Sequence, residues 1–225
     1  MVKAIVCDIE GTTTSLSFVK DLLFPYARRH MSEYVRENMK NLTIAKLLDD
    51  VKLTMHRPDA TLEDIIDQLE RWIDEDKKIT PLKAIQGYIW EVGFKNGDYH
   101  GHVYADAYKK LKDWHASGIN LYVFSSGSVY TQKLIFSHTE YGDLTPLFSD
   151  YFDTNVGSKS DPKSYVKIAE NTGYLTTEIV FLSDTKHELD AAKSVGLSTV
   201  WVVRDESPSH DSQHPQVTNF FGIAV

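Results

Sequence analysis

The chain has 225 residues, of which 42% are apolar and 25% are charged, and these are ordinary globular proportions. At about 150 residues per domain, this length predicts one core domain with a smaller subdomain, and it excludes the need for a metal or disulfide to hold the fold together. A formal net charge of −8, without a cluster of Lys and Arg, excludes nucleic acid and anionic membranes as expected partners, so an anionic substrate would need positive charge inside its own site.

Four short apolar runs predict the strands of a parallel sheet. They are rich in Val, Ile and Phe and show no alternation of apolar and polar residues, which is typical of strands buried on both faces. Because helical segments lie between them, the fold class is predicted to be α/β, with a Rossmann-like parallel sheet core. The four runs are residues 4–7, 119–124, 179–182 and 199–203.

The region between the first two strands predicts a separate helical domain, because it contains no convincing strand and is too long for one crossover helix. Thr61 and Asp64 have the spacing of a capping box, and Thr80-Pro81 places a proline at the start of another helix. The predicted domains are a core of residues 1–16 and 97–225 and an all-helical cap over the site, residues 17–96.

Helix and loop signals also separate the later strands. Glycines mark the helix ends, and proline or a capping residue marks the starts. One helix is predicted to end near Gly118. A second begins at Asp161-Pro162 and ends near Gly173, and a third begins at Thr185 and ends near Gly196. A polar loop is predicted over residues 207–214.

Two carboxylates follow the first strand directly. Asp8 and Glu10 flank one residue of a turn in which Gly11 permits unusual backbone angles. An aspartate can attack a phosphoryl group and form an acyl phosphate if a cation neutralises the oxygens and a second group handles the leaving-group proton. Asp8 is placed to be this nucleophile and Glu10 the acid/base, although a solvated acidic turn is the alternative for these residues alone.

The second strand ends in a small polar loop. Ser125 and Ser126 precede Gly127, and their hydroxyl and N–H groups can bind an anion such as a phosphate at a helix N-terminus. A helix cap with a glycine turn would use the same residues. This loop is therefore a candidate phosphate-binding element whose structural alternative stays open.

A lysine and an aspartate complete the set of polar strand ends. Lys159 precedes a predicted helix and can bring a positive charge to a phosphate, whereas most lysines in such loops are only solvated. Asp184 follows the third predicted strand and suits Mg²⁺, which takes oxygen ligands. Glu188 could reach the same site, but its spacing from Thr185 is that of a capping box, and we favour the capping role.

The order of these elements matches a known family. A carboxylate pair, Ser-Ser-Gly, a lysine and an aspartate, each near the end of its own strand, resemble the four motifs of the haloacid dehalogenase-like phosphatases. The first motif of that family is normally Asp-x-Asp-Gly-Thr, and here Glu10 occupies the second Asp position. Because the second Asp is the usual residue of the family, a glutamate here points to a smaller group within it.

The chain further resembles the enolase-phosphatases of the methionine salvage pathway, in which a glutamate is usual at that position. The resemblance runs nearly end to end. Its segments are residues 8–15, 18–19, 23–27, 86–94, 101–107, 125–129, 132–136, 153–154, 157–159, 164–169 and 181–184.

This resemblance implies a substrate, 2,3-diketo-5-methylthiopentyl 1-phosphate, which is enolised and then dephosphorylated to 1,2-dihydroxy-3-keto-5-methylthiopentene. It also implies a Mg²⁺ ion and a phosphate site, while the base for enolisation stays open, with Glu10 the simplest hypothesis. The implied metal ligands are Asp8, the main-chain carbonyl of Glu10 and Asp184, and the implied phosphate ligands are Ser125, Ser126 and Lys159.

Two other functions remain open at this point. A phosphoacceptor signalling domain also places an Asp, a Ser or Thr and a Lys at strand ends, and a related phosphatase could act on another small phosphate ester. The single cysteine, Cys7, suits a reducing compartment, so we expect a cytoplasmic protein. We also expect a monomer, because the sequence contains no long apolar or coiled-coil stripe that would pack against another subunit.

Overall fold

The computed structural model describes residues 1–204 and 213–225, and it divides the chain into two compact units. The first, called the core unit below, comprises Met1–Leu16 and His100–Val225. The second, called the helical unit, is Ser17–Tyr99. The predicted loop over residues 207–214 lies mostly outside the described residues.

The core unit contains a six-stranded sheet. Its strand order is β3-β2-β1-β4-β5-β6, and each of these neighbours pairs in parallel. The predicted α/β fold class with a Rossmann-like parallel core is therefore confirmed. The strands are β1 (Ala4–Cys7), β2 (Asn120–Phe124), β3 (Phe148–Phe152), β4 (Ile179–Ser183), β5 (Ser198–Val202) and β6 (Gln216–Val217).

Eight α-helices complete the described chain, and the first four belong to the helical unit. The predicted capping box between Thr61 and Asp64 is present, and Pro81 lies in the first turn of its helix. One π-helical segment, Phe18–Leu23, precedes the first α-helix. The helices are α1 (Phe24–Asn38), α2 (Leu42–Thr54), α3 (Leu62–Asp74), α4 (Thr80–Asn96), α5 (Ala105–Ala116), α6 (Val129–Ser137), α7 (Pro162–Thr172) and α8 (Lys186–Ser194).

Strand β1 lies at the centre of the sheet and is buried on both faces. Because side chains alternate along a strand, Ile5 and Cys7 pack with Leu111 of α5 on one face. Val6 packs with Ile168 of α7 on the other face. This double burial explains the uninterrupted apolar run of β1, and it makes Cys7 a free, buried core residue.

The two strands at the edges of the sheet were not predicted. In β3, Ser149 and Asp150 are exposed, and β6 has only two residues. An edge strand is not enclosed in the way a central one is, so its sequence does not need a continuous apolar run. This is why only the four inner strands were recognisable.

No helix in the described part of the chain combines the length and the apolar character that crossing a membrane requires.

Helix α2 provides a test of local stability in the helical unit. The Asn41 side chain accepts hydrogen bonds from the amides of Thr43 and Ile44, so Asn41→Ala should lower the free energy of unfolding by about 1 kcal/mol. Thr54→Ala is the matched control, because it removes a hydroxyl from the last residue of the same helix and should change stability little. Thermal and urea unfolding measure both, and equal effects of the two substitutions would contradict the capping argument.

Candidate active site

The carboxyl ends of β1, β2 and β4 meet at one edge of the sheet, because these strands are adjacent and parallel. Asp8 directly follows β1, and its amide donates a hydrogen bond to the carbonyl of Leu182 in β4 at 2.9 Å. Ser125 follows β2, and Asp184 follows β4. The sheet therefore brings a buried carboxylate, a hydroxyl and a second carboxylate to the same edge.

The turn over residues 8–14 is tightly wound around one carbonyl. The carbonyl of Ile9 accepts hydrogen bonds from the amides of Thr12, Thr13 and Thr14 at 3.2, 3.0 and 2.9 Å. Gly11 within this turn has φ +73°, a conformation that side chains disfavour. The chain thus reverses direction immediately after Asp8.

Gly11 is also needed for space. A Cβ atom at this position would clash with the carboxylate of Asp184, which would then have to move away from the turn. The carboxylate of Asp184 therefore packs directly against the turn that carries Asp8 and Glu10. Glu10 itself is half-buried in that turn.

Lys159 contacts the carboxylate of Asp8. Its Nζ donates to Oδ1 of Asp8 at 2.5 Å and to Oε2 of Glu188 at 3.0 Å, and the lysine side chain is only 12% exposed. The same Nζ lies 6.0 Å from the ring centroid of Phe124, the last residue of β2. Lys159 therefore lies between the ends of β1 and β2 and the first turn of α8.

The loop before α7 holds Lys159 in this position. The hydroxyl of Tyr165 donates to the carbonyl of Lys159 at 2.6 Å, and the hydroxyl of Ser164 donates to the carbonyl of Ser158 at 2.6 Å. Gly157 adopts φ +134°, and a Cβ there would lie 2.3 Å from Oγ of Ser164. Glycine suits this position because L side chains rarely adopt this φ and a Cβ would displace the Ser164 hydroxyl.

The preference for Glu188 as a capping residue is wrong. Thr185 makes no side-chain capping hydrogen bond at the start of α8, and its hydroxyl donates instead to Oδ1 of Asp184 at 2.9 Å. The Glu188 carboxylate accepts from the Ser183 hydroxyl at 2.9 Å as well as from Lys159. The buried ammonium group offers this carboxylate a stronger partner than an amide at a helix terminus does.

The site carries more negative than positive charge. The pKa of Asp8 is raised to about 7, chiefly by burial and also by the negative charges of Glu188 and Asp184, while Lys159 opposes the rise. Burial also raises the pKa of Asp184. The pKa of Lys159 is lowered by burial but raised by a larger amount by Asp8 and Glu188, so the lysine stays charged. Three carboxylates around one ammonium group favour the arrival of a further cation.

The loop after β2 is held by main-chain and side-chain hydrogen bonds. Ser125 is buried, its amide donates to the carbonyl of Phe152 at 3.1 Å, and its hydroxyl accepts from the amide of Gly127 at 3.1 Å. Ser126 is exposed. The amide group of Gln132 donates to the carbonyls of Gly127 and Phe152, both at 2.8 Å.

The sequence analysis assigned no role to several residues of this site, although each lies inside a segment that carries the family resemblance. Their hydrogen bonds reach main-chain atoms or shared carboxylates, and one sequence contains no signal for such contacts. They are Thr12, whose hydroxyl lies 3.5 Å from Oδ2 of Asp8, and Gln132, Tyr165 and Ser183, described above.

Two comparisons with known proteins identify the family. The model of the haloacid dehalogenase-like hydrolases matches residues 2–196. The chain is 52% identical over 227 residues to enolase-phosphatase E1 of Sulfurihydrogenibium sp. (strain YO3AOP1), covering 100% of this chain and 99% of the relative. It is 53% identical over 223 residues to enolase-phosphatase E1 of Methylococcus capsulatus, covering 99% and 98%. The chain belongs to the enolase-phosphatase E1 family of the haloacid dehalogenase-like hydrolases. The family predicted from the sequence motifs is thus confirmed.

Solved structures share this fold. The crystal structure of the UTR4 protein from Saccharomyces cerevisiae is 31% identical, has a TM-score of 0.84 and covers 99% of this chain and 100% of its own. A haloacid dehalogenase phosphatase from Thermococcus onnurineus, 20% identical with a TM-score of 0.62, shares the fold and covers 98% and 95%.

The raised pKa of Asp8 predicts a pH-dependent cost of keeping this carboxylate buried. The unfolded chain releases the proton near the ordinary value of 3.8, and the folded chain retains it to about 7. The folded state therefore binds more protons between these values, and stability falls as pH rises through them. In the presence of a chelator, Asp8→Asn should melt at a higher temperature than the wild type at pH 8, and the difference should shrink towards pH 4.

The matched control is Asp113→Asn, which removes an exposed carboxylate from α5 of the same unit. Unfolding temperatures are measured across the pH range for all three proteins. A wild type that is as stable as Asp8→Asn at pH 8 would show that Lys159 fully compensates the buried charge.

Proposed function

We propose that this family member converts 2,3-diketo-5-methylthiopentyl 1-phosphate to 1,2-dihydroxy-3-keto-5-methylthiopentene and phosphate through a phosphoaspartate on Asp8. The observation that carries the proposal is the buried Asp8 carboxylate, which is held by Lys159 at the shared ends of parallel strands. The identity of about half to relatives named enolase-phosphatase E1 supports both activities.

The residues at this edge fit a Mg²⁺ ion. In residues 1–204 and 213–225, no group of three or more His, Cys, Asp or Glu side chains is placed to hold a metal ion. Mg²⁺ needs few protein oxygens, however, because it usually keeps several waters. Asp8, Asp184 and the main-chain carbonyl of Glu10 are the proposed ligands, and the surplus of negative charge favours a divalent cation. When bound, the ion would neutralise phosphate oxygens and polarise the carbonyl that is enolised.

The phosphoryl group is proposed to bind between Lys159 and the loop after β2. The ammonium group of Lys159 and the hydroxyl and N–H groups of Ser125 and Ser126 supply hydrogen-bond donors for its oxygens. The net charge of −8 would repel an anionic substrate at long range. The positive charge of Lys159 supplies a local attraction at the site itself.

Asp8 then acts as the nucleophile. One carboxylate oxygen forms a bond to phosphorus while the bond from phosphorus to the ester oxygen breaks, and Glu10 gives that oxygen a proton. In the second step Glu10 takes a proton from water, the water oxygen bonds to phosphorus, and the bond to Asp8 breaks. Glu10 ends each cycle protonated again, and Asp8 is free.

Enolisation precedes these steps and needs a base for a proton next to a carbonyl group. Glu10 is the simplest hypothesis, since one carboxylate would serve both reactions. We also keep three further expectations as proposals: that the helical unit is a cap domain that selects the substrate, that the protein is monomeric, and that it is cytoplasmic.

The decisive experiment is an anaerobic assay of the purified protein with 2,3-diketo-5-methylthiopentyl 1-phosphate, with Mg²⁺ or with a chelator. Ultraviolet absorbance of the enol product and released phosphate are followed together, and both should appear only with Mg²⁺. Mg²⁺ should also raise the unfolding temperature of the wild type but not that of Asp184→Asn, which tests the metal site without activity.

Other outcomes of this assay point to other functions. Cleavage of different phosphate esters with this substrate left intact would preserve the catalytic roles and overturn the substrate. A stable phosphoprotein without turnover would favour a signalling domain instead.

Substitutions of the two carboxylates should separate the two steps of hydrolysis. Asp8→Asn removes the nucleophile and should lower phosphate release by a factor of at least about 10³, since the covalent route is lost. Glu10→Gln should lower it by about 10²-fold to 10⁴-fold, and phosphate should remain on Asp8 in acid-quenched samples. Asp113→Asn should be as active as the wild type, and substantial phosphate release by Asp8→Asn would refute the assignment.

A further inference from the structure

A buried ion pair outside the proposed chemistry holds the turn over residues 8–14. Arg204 follows β5, and Asp106 lies in the first turn of α5. The Nη1 of Arg204 donates to both carboxylate oxygens of Asp106, at 2.9 and 2.7 Å. Oδ2 of Asp106 also accepts the amide of Phe220 at 2.7 Å. The pair is therefore fixed from several directions.

The other side of the guanidinium group faces the turn. Nε and Nη2 of Arg204 both donate to the main-chain carbonyl of Thr12, at 3.1 and 2.8 Å. The side chain of Arg204 is only 7% exposed. Its guanidinium carbon lies 4.0 Å from the ring centroid of Tyr104 and 5.1 Å from that of Phe220. Two rings and two hydrogen-bonded partners thus leave this group little freedom.

Thr12 connects the ion pair to the site. Its amide donates to the carbonyl of Ile9, and its hydroxyl lies 3.5 Å from Oδ2 of Asp8. Because Glu10 lies between Ile9 and Thr12 in the same turn, a displaced Thr12 carbonyl would shift the main chain that carries Glu10. A movement of about 1 Å in a catalytic group is enough to lower a rate by about 10²-fold.

We propose that Arg204, oriented by Asp106, is a positioning residue that holds the 8–14 turn in its reactive conformation. The inference rests on the proposed roles of Asp8 and Glu10. Its effect is geometric, because the charge of Arg204 is balanced by Asp106. Lysine cannot replace it, since a single ammonium group does not reproduce two parallel N–H donors to one carbonyl and two more to a carboxylate.

The test is the kinetics of Arg204→Lys with the diketo phosphate and Mg²⁺. We expect kcat to fall by between about tenfold and a hundredfold. KM and the inhibition constant of inorganic phosphate should stay within about twofold, because Arg204 donates its hydrogen bonds to Thr12 and Asp106, whereas phosphate is proposed to bind at Lys159 and the loop after β2. Asp106→Asn keeps the shape of the side chain. It should also lower kcat, by a smaller factor, and leave KM nearly unchanged.

The matched control is Asp190→Asn. Oδ1 of Asp190 lies 2.9 Å from Nε2 of His214, so this carboxylate also ties the C-terminal segment to a helix of the core unit, and its other partner is Lys186 of the same helix. Its unfolding temperature should fall while kcat stays within about twofold of the wild type. This control separates a loss of stability from a loss of positioning.

An unchanged kcat in folded Arg204→Lys, or equal kcat losses in Arg204→Lys and Asp190→Asn, would overturn the inference. If Arg204→Lys does not fold, the comparison of Asp106→Asn with Asp190→Asn decides. A wild type without phosphatase activity, or an active Asp8→Asn, would instead overturn the proposed function, so the two failures are distinguishable.

Discussion

The arrangement of this site depends on the burial of one carboxylate at the end of the central strand. Removing Asp8 from water is costly, and its raised pKa expresses that cost. Lys159 offsets part of it, but the ammonium group is shared with Glu188, and Asp184 adds more negative charge nearby. The folded chain thus holds this carboxylate in an environment that leaves negative charge uncompensated. The proposed reaction, with a cation and a nucleophile in one place, would use this imbalance.

Close packing of the main chain converts this electrostatic arrangement into a defined geometry. The Asp184 carboxylate packs against the turn at Gly11, where a Cβ would force it to move away. The same turn is held at the main-chain carbonyl of Thr12 by Arg204. Reactive side chains on a turn need such support, because a turn has fewer hydrogen bonds of its own than a helix or a strand.

Part of the fold and site was predictable because its signals are local. A buried strand needs an apolar run, a helix start needs a capping residue, and parallel strands place their carboxyl ends together. These rules located β1 and the residues that follow the inner strands. These rules did not locate the edge strand β3, because Ser149 and Asp150 interrupt its apolar pattern. Glu188 was misassigned because the local rule for a capping box competed with a partner that is 29 residues away in the sequence.

The sequence by itself determined the fold class, the order of the polar strand ends and the family, since each depends on residue type and spacing along the chain. Only the tertiary structure decided which partner each charged group takes. The contacts of Lys159 with Asp8 and of Arg204 with Thr12 join residues 151 and 192 positions apart. Such pairings are decided by how the sheet and its helices pack, because a buried charge takes the partner that packing brings within reach rather than the nearest one along the chain.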